Sequence, residues 1–393
     1  MVGPVVRINP HELHCNDPAF TDEIYASGGG RIRDKWTHQL NTGVVGPIAV
    51  TGFATISHEL HRSRRNAMNS YFSRQQMLKL EGEVLDFAQR TADKMLTFSK
   101  EPFDVKEAFN CFGADVIAQY AFGEPMGFVD QEGWEPNFAT WVKSFAQQAY
   151  MMRHNALARK LAVLAPMLAN YMGEDMRMVM RQMRVVIPTY VEKAISDPQN
   201  SRVFAHMVTS DKLPKEEKST YRLSGEGFNL LFAGTETTGA TLSVIVYYLL
   251  SQRDTYDKLL AALQGVDPAR PQWTDLERRP YLWAVVHEAL RMTPGLAHRS
   301  ARIARNEDLV YTSADQRVQW VIPRGTPIGM TSMINHYNED LFPQPEEYSP
   351  ERWLLEDGQI NYALEKKLIS FGKGTRDCLG KQLAYSKGMT KNF

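Results

Sequence analysis

Cys378 sits in a polar, glycine-punctuated stretch, Phe371-Gly372-Lys373-Gly374-Thr375-Arg376-Asp377-Cys378-Leu379-Gly380, just ahead of a helix-like run from Gly380 to Ala384. A thiol placed there is poised to ionise, because the Arg376 guanidinium and a helix N-terminus both favour the anion. The glycines allow tight turns and close approach of backbone to something flat. A soft thiolate in such a loop suits an iron centre, and a haem held by cysteine is one of few options. The competing reading is a buried structural cysteine, the commonest fate of a lone thiol.

A second group of reactive side chains lies inside the longest helical pattern, Tyr221 to Gln252. Its middle reads Phe232-Ala233-Gly234-Thr235-Glu236-Thr237-Thr238-Gly239. Gly234 weakens a helix by about 1 kcal/mol relative to alanine, and hydroxyls and a carboxylate within an apolar run are costly unless satisfied. Local rules broken without a stability gain point to function. The alternative is threonines that simply bond back to preceding carbonyls. A third group is the basic stretch Ser57 to Phe72, where His61 and Arg65 are four residues apart and share one helix face. That face suits an anionic cofactor edge, an acidic partner, or only solvent. Glu288 and Arg291, three apart, form a further potential pair.

Elements must hold these groups. The spacing predicts short strands at Val5 to Ile8 and Glu12 to Cys15, and a short helix from Asp17-Pro18 to about Ser27. Gly28 to Phe53 reads as a long loop with some local structure, the kind that often carries binding residues. Helices are expected at Ser57 to Phe72, Arg74 to Ser99, Val105 to Phe122, Gly133 to Met152 and Glu174 to Ser196. Asn155 to Tyr171, with Leu161, Leu164, Met167 and Leu168, reads as a core helix or as the lining of an apolar pocket. The 30 or so residues of the central helix would extend roughly 45 Å. After the Pro280 to Met292 helix, Arg299 to Ile328 alternates as strands do, with Leu309 to Tyr311 and Val318 to Ile322 the clearest. His336 to Trp353 is irregular.

The 393 residues carry 45 basic and 45 acidic side chains, so no global charge argues for nucleic acid. Three cysteines, Cys15, Cys111 and Cys378, are too few for a disulfide framework and fit a reducing compartment. Met1 to Pro10 has no signal-peptide core, and no run reaches the roughly 18 apolar residues of a membrane span. No clean domain boundary shows, so residues 1–393 read as a single domain.

Phe371, Gly374, Arg376, Cys378 and Gly380 occupy every spaced position of F-x-x-G-x-R-x-C-x-G, the haem-binding signature of the cytochrome P450 monooxygenases. Ala233 to Thr238 matches that family's oxygen-binding motif, Ala/Gly-Gly-x-Asp/Glu-Thr-Thr/Ser. Glu288 and Arg291 look like its E-x-x-R pair, and Pro350-Glu351-Arg352-Trp353 like its P-E-R-W. With all four motifs in the family's order, the chain resembles a cytochrome P450 over almost its whole length, in a style closest to fungal microsomal members of secondary metabolism.

The resemblance implies a mainly α fold with a small β region, binding haem b (iron protoporphyrin IX). It makes Cys378 the axial thiolate to iron, with Phe371 and Gly380 shaping its loop. Glu236 and Thr237 would be the acid–alcohol pair that delivers protons and holds oxygen, and Ala233 and Gly234 would leave room for it. His61, Arg65, Arg376 and Arg302 (or Arg299) would bind the haem propionates. Glu288, Arg291 and Arg352 would form a structural triad behind the cysteine loop. It further implies O2, a lipophilic small-molecule substrate such as a terpenoid or polyketide, and electrons from NADPH-cytochrome P450 reductase, with cytochrome b5 as a second donor. The basic helix, with Arg62 and Arg64, and Lys373 and Lys381 would form the docking face.

Both ends are short for that family. The expectation is a chain lacking the N-terminal anchor that holds full-length relatives on the cytoplasmic face of the endoplasmic reticulum, and lacking the strand-rich C-terminal tail. The competing expectation is a truncated, non-catalytic haem-binding remnant.

Overall fold

A helix of 32 residues, Thr220–Ser251, forms the axis of the fold; at 1.5 Å per residue it is about 48 Å long. Ser219 caps it, the hydroxyl accepting from the Arg222 amide at 3.4 Å. In this computed structural model the described residues are 3–41, 46–98, 102–147, 149–162, 164, 171, 173–197, 202–268 and 270–390. Met167 and Leu168, read as part of an apolar helix, lie outside them.

The helix Val105–Phe122 runs against the central one and is buried on nearly every side, as expected of an interior helix with little amphipathicity. Asp104 caps its start, accepting from the Lys106 amide at 2.8 Å. Gly123, at φ +94°, closes its end in the left-handed region. Glycines set how near the two helices come. A Cβ on Gly234 would lie 3.0 Å from Ile117, and one on Gly239 would lie 2.2 Å from the Asn110 side chain.

Among the described residues seven short strands form the β region: β1 (Val5–Asn9), β2 (Glu12–Cys15), β3 (Arg33–Lys35), β4 (Arg302–Ala304), β5 (Leu309–Thr312), β6 (Gln319–Ile322) and β7 (Pro327–Gly329). The larger sheet has the order β1-β2-β7-β4-β3. Its β2–β7 pair is parallel and its other pairs are antiparallel. Strands β5 and β6 form a separate hairpin. The fold is thus mainly α with a small β region, as the sequence implied. Among the described residues no helix is long and apolar enough to cross a membrane.

Several expected elements change shape. The helix after Asp17-Pro18 is only a 3-10 turn, Pro18–Phe20, and Thr21–Ile24. Gly133 to Met152 becomes two helices, Phe138–Gln147 and Ala149–His154. Between Glu174–Arg181 and Ile187–Ser196 lies a π turn, Gln182–Val186. Pro188 has no N–H to give back along the helix, and the wider turn absorbs the missing bond. In Ala156–Ala162 no residue is buried, and Leu157 and Leu161 face solvent. That helix lies on the outside and is not a core helix.

Candidate active site

The cysteine loop is a folded turn. Gly372 and Gly374 adopt φ +67° and +75°, a region that side chains other than glycine rarely enter. A Cβ on Gly374 would collide with the Tyr25 carbonyl oxygen at 2.0 Å. The Cys378 amide donates to the Phe371 carbonyl at 2.7 Å and closes the loop. The Phe371 ring packs edge-on to Tyr385, with centroids 5.3 Å apart. Helix Lys381–Thr390 then leads away. Among protein atoms, a Cβ on Gly380 would touch only the Cys378 sulfur, at 4.0 Å.

Cys15 and Cys111 are buried, and burial pushes both thiols up to about 12. Cys378 differs in keeping solvent access. Protein still encloses much of it, and that enclosure raises its pKa. A hydrogen bond from the Gly380 amide opposes the rise, Asp377 adds to it, and Arg65 and Lys381 oppose it. The cations acting on the thiol are therefore Arg65 and Lys381, and not Arg376 as the loop's sequence suggested. Arg376 points away, donating to the carbonyls of Thr55 and Ile56, each at 2.6 Å.

A buried polar frame supports the loop from behind. Glu288 and Arg291, on the helix Pro280–Met292, are fully buried. They make two parallel bonds of 2.9 Å, the bidentate geometry that carboxylate and guanidinium favour. Glu288 also accepts from Arg352 Nε at 3.0 Å and from the Trp353 indole at 2.8 Å. Arg291 passes the connection on: its guanidinium donates to the His336 carbonyl at 3.0 Å. Ser370, one residue before Phe371, donates to the Leu290 carbonyl at 2.6 Å. Thus Glu288, Arg291 and Arg352 meet, and their frame reaches the root of the cysteine loop. His336, which the sequence did not single out, completes it.

Cations gather on the side facing helix His58–Asn69. Register in the sheet sets Lys35 on β3 directly across from Arg302 on β4, a like-charge pair that costs stability. Both are buried. Lys35 donates to the Phe53 carbonyl at 2.5 Å, and Arg302 to those of Ser300 and Ala301 at 3.1 and 3.2 Å. Arg376 Nε is buried without a hydrogen-bond partner. Burial, with Arg302 nearby, brings the Arg376 pKa down to about 10. His61 is buried, and burial plus Arg376, Arg65, Lys35 and Arg302 push it down to about 3. Among the described residues, Arg65 alone of this group forms an ion pair, with Asp377 at 2.5 Å. So His61, Arg65, Arg302 and Arg376 come together, and Lys35 joins them. Arg64 does not stand on a docking face: it turns inward and pairs with Glu217 at 2.8 Å.

The central helix presents a different surface. Ala233 and Thr237, four residues apart, are exposed, although Leu231, Thr235 and Gly239 around them are buried. Thr237 donates back to the Ala233 carbonyl at 2.7 Å, and Thr235, Thr238 and Thr241 do likewise to carbonyls one turn earlier. Gly234 faces the neighbouring helix instead of open space. Glu236 is turned toward Lys106, 3.1 Å away, so its carboxylate and the Thr237 hydroxyl lie on different faces.

Comparison with known proteins decides the family. The Cytochrome P450 family model matches residues 15–388. The chain belongs to the cytochrome P450 family. Cytochrome P450 monooxygenase ppzE of Metarhizium majus is 36% identical over 400 residues, covering 96% of this chain and 83% of that protein. N-acetyltryptophan 6-hydroxylase ivoC of Emericella nidulans is 33% identical, covering 98% of this chain and 76% of its own length. The crystal structure of a cytochrome P450 (CYP102L1) superposes with a TM-score of 0.75 at 16% identity, covering 99% of this chain and 87% of that one. As a cytochrome P450 the chain is an oxidoreductase, a monooxygenase that uses haem b, O2, a substrate and a redox partner.

The residues present fit a haem. Its two propionates are carboxylates; Lys35 and Arg302 are buried and Arg376 is partly buried, each bonded to carbonyls, and among the described residues none of the three has a carboxylate in an ion pair. Buried charge of one sign is expensive, and an anionic edge relieves it. When bound, the haem supplies the iron at which O2 is activated.

Proposed function

We propose that this chain inserts one oxygen atom of O2 into a lipophilic small molecule, a terpenoid or polyketide secondary metabolite. Electrons come from NADPH-cytochrome P450 reductase, with cytochrome b5 as a second donor. The overall change consumes two electrons and two protons and releases one oxygen atom as water. Residues 1–393 act as one haem domain.

The observation that carries this reading is the cation set at His61, Arg65, Arg302, Arg376 and Lys35, beside the one solvent-accessible cysteine among the three. Cys378 would hold the haem iron through its thiolate, and its loop, from Phe371 to Gly380, would wall that side of the cofactor. The cations take the propionates. Ala233 leaves space, Thr237 holds a proton at its Oγ1, and Glu236 moves protons inward from the surface once it parts from Lys106. Arg62 and Lys381 remain for the redox partner. Lys373 is already held, 3.6 Å from Asp22.

The test is the carbon monoxide difference spectrum of the reduced, haem-loaded protein. A band at the thiolate position that disappears in Cys378→Ser supports the reading; its absence from the unaltered protein refutes it. A non-catalytic haem-binding remnant would show haem uptake but no substrate turnover with reductase present. Thr237→Val separates structure from chemistry. It should keep the band and lose about 100-fold in product formation, as expected for one proton-transfer group. Unchanged turnover would exclude the Thr237 role.

A further inference from the structure

A file of rings in mutual contact runs from the cysteine loop to the surface. The Cys378 amide is bonded to the Phe371 carbonyl, and the Phe371 ring meets Tyr385 with centroids 5.3 Å apart. Tyr385 lies over His287 at 5.3 Å and 22°. His287 stacks on Trp283 at 3.4 Å and 16°. Trp283 in turn meets Tyr362 edge-on at 6.1 Å. Trp283 and His287, one turn apart on Pro280–Met292, are buried, whereas Tyr362, which opens the helix Tyr362–Glu365, is 60% exposed.

Hydrogen bonds give this file a direction for protons. The Trp283 carbonyl, 2.8 Å from His287 Nδ1, can only accept, so Nδ1 carries the proton. Nε2 is left to accept, and the Tyr385 hydroxyl donates to it at 3.1 Å. Burial pushes His287 down to about 3, so the ring is neutral at pH 7. The Glu365 carboxylate lies 4.0 Å from Nε2, where it favours a transient positive charge on the ring. Tyr385 therefore has a proton acceptor within hydrogen-bond reach, as proton transfer requires. Tyrosine and tryptophan are among the side chains most readily oxidised by one electron, and tyrosine is so when its proton can leave as well.

We propose that Tyr385, Trp283 and Tyr362 form a relay that carries oxidising equivalents from the haem held at Cys378 to the surface when no substrate is present to take them. The inference rests on the monooxygenase reading and adds to it a protective path. The oxidant is hydrogen peroxide, which takes up two electrons and two protons, loses its O–O bond and leaves as two waters. Tyr385 supplies an electron, and its phenolic proton moves to His287 Nε2. Trp283 returns an electron to Tyr385, and the proton comes back from His287. Tyr362 then refills Trp283 and releases its own phenolic proton to water. A soluble enediol such as ascorbate restores Tyr362 with one electron and one proton, and a second round completes the reduction of the peroxide.

The test mixes haem-loaded protein with hydrogen peroxide and the spin trap 2-methyl-2-nitrosopropane, without substrate or ascorbate, and locates the adducts by peptide mass spectrometry. Tyr362 should carry more adduct than Tyr221, 56% exposed, and Tyr171, 88% exposed, because peroxide chemistry in bulk solution would follow exposure. In Tyr385→Phe, which removes one hydroxyl, the excess at Tyr362 should vanish and the haem should bleach faster. Trp283→Phe should do the same and breaks the file at a second point. Labelling of Tyr362 no greater than that of Tyr221 and Tyr171, including no adduct at all, overturns the proposal. So does an excess that survives in Tyr385→Phe. Loss of haem from both variants also overturns it, because the rings would then serve only to hold the loop. Absence of the thiolate carbon monoxide band from the unaltered protein refutes the monooxygenase reading, whereas a band with no excess at Tyr362 refutes the relay alone.

Discussion

His336 Nε2 accepts the backbone amide of Ile369 at 3.0 Å. Its Nδ1 is 3.0 Å from the Arg291 carbonyl, so the proton sits on Nδ1. One neutral ring thus links the Glu288–Arg291 frame to the start of the cysteine loop. Replacing it with alanine strands a buried N–H and a buried C=O at about 1–3 kcal/mol each. His336→Ala should lower unfolding stability by about 2–6 kcal/mol and reduce haem retention. Urea unfolding of both proteins checks this, and a change under about 0.5 kcal/mol would remove His336 from the frame.

The same ring sets a pH dependence. Burial lowers His336 to about 4, against 6.5 for the free side chain. Between those values the unfolded chain binds the proton and the folded one does not, so folding stability rises with pH. The contribution is complete above about pH 6.5 and is lost as pH falls through 4, amounting to about 3 kcal/mol at most. His61 and His287, both pushed down to about 3 by burial, act in the same direction. Denaturant midpoints from pH 7 to pH 4 should fall steadily, and less steeply in His336→Gln.

Gly374 and Gly380 belong to the same motif but should respond differently to substitution. Gly374→Ala meets both a left-handed φ and the Tyr25 carbonyl. The φ alone costs about 1–2 kcal/mol, and the collision must displace the loop. Gly380→Ala meets ordinary contact distance. Thermal unfolding with haem titration should show a large loss for the first and a small one for the second. Equal losses would contradict the geometry.

Lys387 is buried in the helix after the cysteine, where it donates to the carbonyls of Gly113 and Gly234 at 3.1 and 3.2 Å. Among the described residues no carboxylate compensates it, and burial brings it down to about 7. From pH 7 to its unfolded value near 10.4 the unfolded chain binds the extra proton, so stability rises with pH over that window. Below pH 7 the penalty is complete. Lys387→Met should stabilise the neutral protein by about 1–4 kcal/mol and flatten the alkaline rise. A destabilised variant would show that the carbonyl bonds outweigh desolvation.

Much of this was legible in the chain. The bounds of Val105–Phe122 and Pro280–Met292 follow from periodicity and end signals, because local capping and turn chemistry fix them. The cysteine loop announces itself through glycines that only its turn requires. Lys35 and His336 carry no such local signal. Lys35 sits in a glycine-rich loop, and its importance appears only when register brings it opposite Arg302. His336 lies in an irregular stretch whose meaning depends on two partners, 45 and 33 residues away.

The sequence by itself determined the family and the mainly helical fold, and it marked the glycine-bearing cysteine loop, since spaced residue types encode local turns and chemistry. Tertiary structure decided which charges act together. Arg65 and Lys381, instead of the adjacent Arg376, face the thiol; Arg64 turned from a surface cation into a buried ion pair; and Glu236 parted from Thr237 onto another helix face. Electrostatic energy depends on distance and burial, and neither is a property of position along the chain.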